Sequence, residues 1–367
     1  MIVGKTAKTK LSKSSKMKND KILMKGNIAI CEGAIDAGCD AYFGYPITPQ
    51  NEAPAYMSKK MAELGRVFIQ AESEVAAINM VFGAAICGKR AMTSSSSPGI
   101  SLKQEGISYL AGAELPCVIV NVQRGGPGLG NISGSQGDYF QATKGGGHGD
   151  YHIIVLAPYS VKEMYDLTFL AFDLADKYRI PVMILTDGII GQMMEPVDIG
   201  RKSEVGSRKS EKNWKLDGCK GREPRLIRSL FMEEGGLEKH NWHLKEKYDG
   251  IKKTEIRYEA DFTDDAEVLI VAFGITARIC KSAVKKLRQE GLKVGLIRPV
   301  TLWPFPEKVI SEVASKSKKI LVAEMNMGQM VEDVKLAVNG ICPVEFLGKP
   351  GGAVFSEDEI IQKIKEI

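Results

Sequence analysis

Residues 66–88 read RVFIQAESEVAAINMVFGAAICG. The first five are an apolar run of strand length, and residues 75–88 form an apolar segment of helical length. Between them lie only Ala71, Glu72, Ser73 and Glu74. A short strand that turns through a polar step into a buried helix is the unit from which doubly wound α/β domains are built.

The unit recurs on both sides. Strands are expected at AYFGY (41–45), RVFIQ (66–70), RAMTS (90–94), PCVIVNV (116–122), HIIVLA (152–157) and PVMILTD (181–187), with helical patterns between them. They are short and rich in Val and Ile, as strands buried on both faces of a parallel sheet should be. The alternation resumes at AEVLIVAFG (266–274), KVGLIRPV (293–300) and KILVAE (319–324), which predicts a second, smaller α/β domain. A chain of 367 residues has room for two or three such cores. The expected division is a basic tail over 1–21, a first domain over 22–197, a charged linker over 198–261 and a second domain over 262–367. No solenoid-type repeat occurs.

Residues 1–21 hold seven lysines and one aspartate, a balance of +6 within a chain of net charge +5, so the remainder stands at −1. That gives no electrostatic case for nucleic-acid binding. The tail has no apolar h-region and is not a secretory signal. It reads as disordered, or as residues ahead of a true start at Met17 or Met24. No run of apolar residues is long enough for a membrane span. The linker is dense in charge (KSEVGSRKSEKNWKLDGCKGREPR) around Trp214, with Trp242 beyond, and reads as a partly irregular excursion that joins two domains or wraps a partner. Seven cysteines are scattered singly, with no C-x-x-C, so no cluster or zinc motif is present and a reducing cytoplasm is expected. Cys117 in PCVIVNV reads as a core residue.

In open parallel sheets, ligands gather at the carboxyl ends of the strands. Those ends read Gly44-Tyr45-Pro46-Ile47-Thr48-Pro49-Gln50, Gln70-Ala71-Glu72-Ser73-Glu74, Thr93-Ser94-Ser95-Ser96-Ser97-Pro98-Gly99, and Asn121-Val122-Gln123-Arg124 followed by GGPG. Each has a plain role and a functional one. YPITP makes a rigid turn, since proline fixes φ and holds its predecessor extended; the same rigidity would fix the Thr48 hydroxyl for a ligand. Glu72 and Glu74 suit a helix dipole, but Glu74 stands at the mouth of an almost wholly apolar helix, where an acid needs a compensating partner. SSSSPG starts a helix with a serine cap and an early proline, or forms an anion nest. Arg124 is a surface ion-pair residue or a fork for a carboxylate. GGPGLG has G-x-G-x-G spacing on the fourth strand and lacks a following acid, so it is not a dinucleotide fingerprint. KGGGHGD (144–150) is a flexible loop whose His148 has no partner ligand.

Taken together, YPITP, AESEVAAINMVFGAA, TSSSSPGISL, NVQRGGPG and QGDYFQATKGGGHGDY resemble the α-type subunit of the 2-oxoacid:ferredoxin oxidoreductases, of the 2-oxoisovalerate (3-methyl-2-oxobutanoate) type in particular. The resemblance is strong over 22–200 and continues over 262–367 through RPVTLWPFP and AEMNMGQM. It implies a thiamine-diphosphate pyrimidine-binding fold followed by a transketolase-C-terminal-like domain. The implied reaction is coenzyme A-dependent oxidative decarboxylation of a 2-oxoacid to acyl-CoA and CO2. Thiamine diphosphate would be shared with a β-type partner that holds its diphosphate and Mg2+. The 4Fe–4S clusters would lie in γ-type and ferredoxin-like δ-type partners, with ferredoxin as acceptor.

The family pattern sets the cofactor glutamate nine residues before a helix glycine, which Glu74 and Gly83 satisfy and Glu72 does not. Glu74 would bond the ring nitrogen N1′, so that the aminopyrimidine works through its imino tautomer as the base. Tyr45, Pro46, Ile47 and Thr48 would wall the cofactor pocket, stiffened by Pro46 and Pro49. Thr48 and Arg124 would bind the substrate, Arg124 as a positioner whose hold relaxes as CO2 leaves. No metal site is expected, because Thr186-Asp187-Gly188 with Asn213 lacks the first glycine of the diphosphate motif. The alternatives are a 2-oxoglutarate enzyme, a non-oxidative thiamine enzyme, and a non-catalytic α/β scaffold.

Overall fold

The computed structural model describes residues 21–200 and 212–367. The basic tail up to residue 20, and 201–211 of the charged linker, lie outside the described residues. Within them the strands are β1 (Ile22–Lys25), β2 (Ala41–Gly44), β3 (Val67–Gln70), β4 (Ala91–Ser95), β5 (Cys117–Gln123), β6 (Ile154–Leu156), β7 (Pro181–Asp187), β8 (Met194–Val197), β9 (Tyr258–Asp261), β10 (Val268–Val271), β11 (Val294–Pro299), β12 (Thr301–Trp303), β13 (Lys319–Glu324) and β14 (Val344–Gly348).

Two open sheets result. The larger has the order β12-β6-β7-β5-β4-β2-β3 and is parallel except for β12. The smaller has the order β14-β13-β10-β11-β9 and is parallel except for β9. β5 and β7 bury every residue, as central strands covered by helices must. Helices Gly26–Asp36 and Val161–Tyr178 pack as one pair, and helices Glu74–Ile86 and Ser97–Gly112 as another. No helix among the described residues is long and apolar enough to cross a membrane.

Every strand expected from the apolar runs is present. β3 departs from expectation in burial: Val67 and Ile69 are 48% and 41% exposed, because β3 is the outer strand of its sheet. β1 and β8, which had no apolar-run signal, pair antiparallel as a separate ribbon. The charged linker holds more structure than its pattern predicts. Helix Gly236–Thr254 crosses it with only Leu244, Tyr248 and Ile251 buried, and β9 then joins the smaller sheet. This helix lies on the chain's own first domain: His240 Nε2 is 2.7 Å from the Gly112 carbonyl, and Lys247 pairs with Glu114 at 2.7 Å.

Three quoted motifs with no assigned role form the joint between the two sheets. Gln136 of QGDY is wholly buried. Its Nε2 donates to the Phe273 carbonyl at 2.8 Å, and its Oε1 accepts from Thr276 Oγ1 at 2.8 Å and Met325 N at 3.0 Å. Asn326 of AEMNMGQM donates to the Gln136 carbonyl and to Glu324. Glu324 also accepts from the backbone N–H groups of Met330 and Val331 at the start of helix Met330–Val338. Arg298 of RPVTLWPFP, 1% exposed, forks onto Glu163 with both terminal nitrogens (2.9 and 2.8 Å) and reaches Glu259 at 3.0 Å. β12, from the same motif, crosses over to pair with β6.

Candidate active site

The carboxyl ends of β2, β3, β4 and β5 converge as parallel pairing requires. Of YPIT, Tyr45, Ile47 and Thr48 are half-buried and Pro46 is exposed, while Pro49 and Gln50 are buried. The backbone carbonyl of Thr48 accepts from Arg124 Nη1 at 3.0 Å, and the Thr48 hydroxyl accepts from Asn51 Nδ2 at 3.3 Å. Arg124, 8% exposed, donates through Nη2 to the Leu129 carbonyl at 3.1 Å, while its Nε is buried with no partner. Thr48 and Arg124 are therefore in direct contact.

Glu74 opens helix Glu74–Ile86 behind Ser73, whose hydroxyl caps the helix by accepting from Ala76 N at 3.2 Å. Glu74 is 6% exposed, whereas Glu72 is exposed. The tetra-serine turn links Glu74 to Arg124. Ser97 accepts from Arg124 N at 3.0 Å and donates to the Arg124 carbonyl at 3.2 Å. Two residues on, a Cβ at Gly99 would lie 2.6 Å from Glu74 Oε1 and 2.1 Å from Ser95 Oγ, so only glycine lets the helix start approach the carboxylate. Ser96 occupies the N-cap position of helix Ser97–Gly112 without making the cap bond. Its hydroxyl and that of Ser95 are buried and without partners.

Three residues of the site had no role in the sequence reading. Lys103 is wholly buried, and burial pushes its ammonium down to about 8, with Glu74 opposing the shift. Its signal was available: a lysine on the same helical stripe as Gly99 and Gly106, which faces a neighbour. Asp138 of QGDY, with its pKa raised by burial, accepts from Asn121 Nδ2 at 2.8 Å. Gln50 accepts from Ser94 Oγ at 2.5 Å, and its Nε2 is buried and unpaired. A cleft of about 760 Å3 opens beside Thr48 and Pro49, walled by Ile132, Ile189 and Val354; Glu74 and Arg124 do not line it.

Asp187 is engaged elsewhere. Buried, with its pKa raised to about 6 by desolvation, it caps helix Gly188–Gln192 by accepting from Ile189 N and Ile190 N. Asn213 is exposed on a turn.

Residues 32–259 match the family described as pyruvate flavodoxin/ferredoxin oxidoreductase, thiamine diP-bdg, and residues 266–360 match pyruvate:ferredoxin oxidoreductase core domain II. The ketoisovalerate oxidoreductase subunit VorB of Methanothermobacter thermautotrophicus is 51% identical, over 94% of this chain and 97% of its own. The 2-oxoglutarate synthase subunit KorA of Methanothermobacter marburgensis is 40% identical, over 94% of this chain and 98% of its own. Among solved structures, the 2-oxoglutarate:ferredoxin oxidoreductase from Magnetococcus marinus, with 2-oxoglutarate, coenzyme A and succinyl-CoA bound, matches with a TM-score of 0.84 at 30% identity, over 95% of this chain and 65% of that one. A split-gene transketolase, an inactive β4 tetramer, matches with a TM-score of 0.56 at 13% identity, over 93% of this chain and 95% of that one, and so shares the fold alone. The chain belongs to the 2-oxoacid:ferredoxin oxidoreductase family, as a subunit that carries its thiamine-diphosphate-binding domain and core domain II.

Proposed function

We propose that this chain is the α-type subunit of a complex that decarboxylates 2-oxoisovalerate oxidatively, giving acyl-CoA and CO2 and passing the electrons to ferredoxin. One observation carries the reading: Glu74 is a nearly buried carboxylate with no hydrogen-bond partner among the described residues, at the mouth of an apolar helix. The residues around it fit the ring end of thiamine diphosphate, since Ser95 Oγ, Ser96 Oγ and Arg124 Nε are also buried without partners. Held there by Glu74, Ser95, Ser96 and Arg124, thiamine diphosphate would supply the nucleophilic carbon that 2-oxoacid decarboxylation needs.

The chain's residues then divide the work. Glu74 exchanges a proton at N1′ of the ring, and burial keeps water from competing for it. Tyr45, Pro46, Ile47 and Thr48 wall the pocket. Arg124, fixed by the Thr48 and Leu129 carbonyls, presents its free Nε–H to a carboxylate oxygen of the substrate. Residues 22–197 present this edge, 262–367 support it, and 198–261 join the two. The diphosphate, its Mg2+ and the other wall of the pocket belong to a β-type partner, and the 4Fe–4S clusters to γ- and δ-type partners in the cytoplasm. The branched substrate is favoured over 2-oxoglutarate because the VorB relative is 51% identical and the KorA relative 40%.

The test is the purified complex, assayed for viologen or ferredoxin reduction by 2-oxoisovalerate with coenzyme A. Glu74→Gln should cut turnover by about a thousandfold or more with assembly intact. Near-parental turnover would remove the central assignment. Faster reduction with 2-oxoglutarate would transfer the proposal to that substrate, and CO2 release without electron transfer would make the enzyme non-oxidative.

A further inference from the structure

Helices Glu74–Ile86 and Ser97–Gly112 meet along a seam set by two glycines. A Cβ on Gly99 would lie 2.6 Å from Glu74 Oε1, and one on Gly106 would lie 2.6 Å from Ile78 Cγ2. Positions 99, 103 and 106 share one face of their helix by their spacing. Lys103 therefore lies in the seam, between the two closest approaches. It is 0% exposed, and its one hydrogen bond is a long 3.5 Å contact to the Ser94 carbonyl. It makes no ion pair within 4.0 Å among the described residues.

A buried ammonium with so little compensation is costly, and an apolar side chain of similar volume would suit the seam better. The charged group that acts on it is Glu74, across the seam. Through Ser94 it also neighbours the uncharged phenol of Tyr42, whose oxygen is 2.5 Å from Ser94 Oγ.

We propose that Lys103 is a positioning residue that holds Glu74 as a carboxylate for the thiamine ring, without itself touching coenzyme or substrate. The proposal rests on the reading of Glu74 given above. While Lys103 is protonated, its positive charge across the seam favours the ionised form of Glu74, so removing that charge should move the titration of the proton shared by Glu74 and the ring nitrogen. The seam makes this effect strong, because both groups sit out of water and the glycines keep them from drifting apart.

The test uses the assembled complex loaded with thiamine diphosphate, with the near-UV circular dichroism of the bound coenzyme followed against pH. Lys103→Met should move that titration upward by about one pH unit or more. The melting temperature of the coenzyme-free complex should hold or rise, because an apolar residue replaces an unpaired buried cation. An unchanged titration overturns the proposal. So does a lower melting temperature or failed assembly, since either makes Lys103 a structural group. Glu74→Gln, run alongside, separates the two claims. If it leaves the titration and turnover as in the parent, the functional reading fails; if it abolishes the titration while Lys103→Met leaves it in place, only the role of Lys103 fails.

Discussion

Buried polar side chains gather in two places in this chain, the joint between the sheets and the carboxyl edge of the larger sheet. At the joint, Gln136, Asn326 and Arg298 meet partners from the opposite unit, and Glu324 holds Asn326 and the start of helix Met330–Val338 in place behind them. At the edge, Gln50 Nε2, Ser95 Oγ, Ser96 Oγ and Arg124 Nε are equally buried and meet none. Each such orphan costs about 1–3 kcal/mol, and a chain keeps a cluster of them only where something outside it completes the bonds. The joint is finished within one polypeptide; the edge leaves its buried polar atoms open. Both were visible as unusual motifs, and only the bonding state tells them apart.

That contrast can be broken by substitution. The largest effect should come from Gly99→Ala, which drives a methyl group against Ser95 and Glu74. Turnover of the complex should fall by about a hundredfold or more, beyond the loss of about 1–3 kcal/mol in stability that the overpacked contact brings, and retained turnover would mean that the placement of Glu74 does not govern the reaction. Gln136→Leu should do the opposite. It strands the Phe273 carbonyl, the Thr276 hydroxyl and Met325 N, so denaturant unfolding should show a loss of about 3 kcal/mol with unchanged turnover per folded molecule. A negligible loss would show that the joint is not the satisfied network described.

Arg124→Lys should raise KM for the 2-oxoacid about tenfold by removing the planar fork. If the melting temperature falls and KM stays, the arginine serves only its two carbonyls.

The smallest effect lies at the rim of the joint. His152 stacks on Trp303 (4.6 Å) and meets Tyr248 edge-on (5.4 Å), and burial lowers its pKa from 6.5 to about 4. Between those values the unfolded chain binds more protons, so this residue makes stability fall as pH drops from about 6.5 to about 4 and adds no further loss below. In His152→Phe the melting temperature should lose that part of its acid slope; an identical slope would mean that the ring is not kept neutral.

Much of the fold was legible because runs such as CVIVNVQ and PVMILTD carry both the β-branched signal and the burial of central strands. What was missed lacked such runs. β12 is three residues long, β1 and β8 pair as a ribbon outside the sheets, and the helix at 236–254 buries too few residues to show an apolar stripe. At the site, Thr48, Glu74 and Arg124 stood out because each breaks the pattern at a strand end. Lys103 did not, because a lysine in a helix ordinarily faces water; its place on the stripe of Gly99 and Gly106 was a signal, and the packing of those glycines shows that the stripe is buried. Gln136 and Arg298 stood within motifs, but the partners that tie them across the sheets, Phe273 and Glu163, lie more than 130 residues away, beyond what local spacing can express.

The pairing of Thr301 with Leu156 has a consequence for biosynthesis. The outermost rung of the first sheet is encoded near the far end of the gene, so a nascent chain leaves the ribosome with β6 bare until residue 303 has been translated. During that interval the unpaired edge is open to strands from neighbouring polypeptides, and a gene split near codon 262 would make the exposure permanent in the N-terminal product.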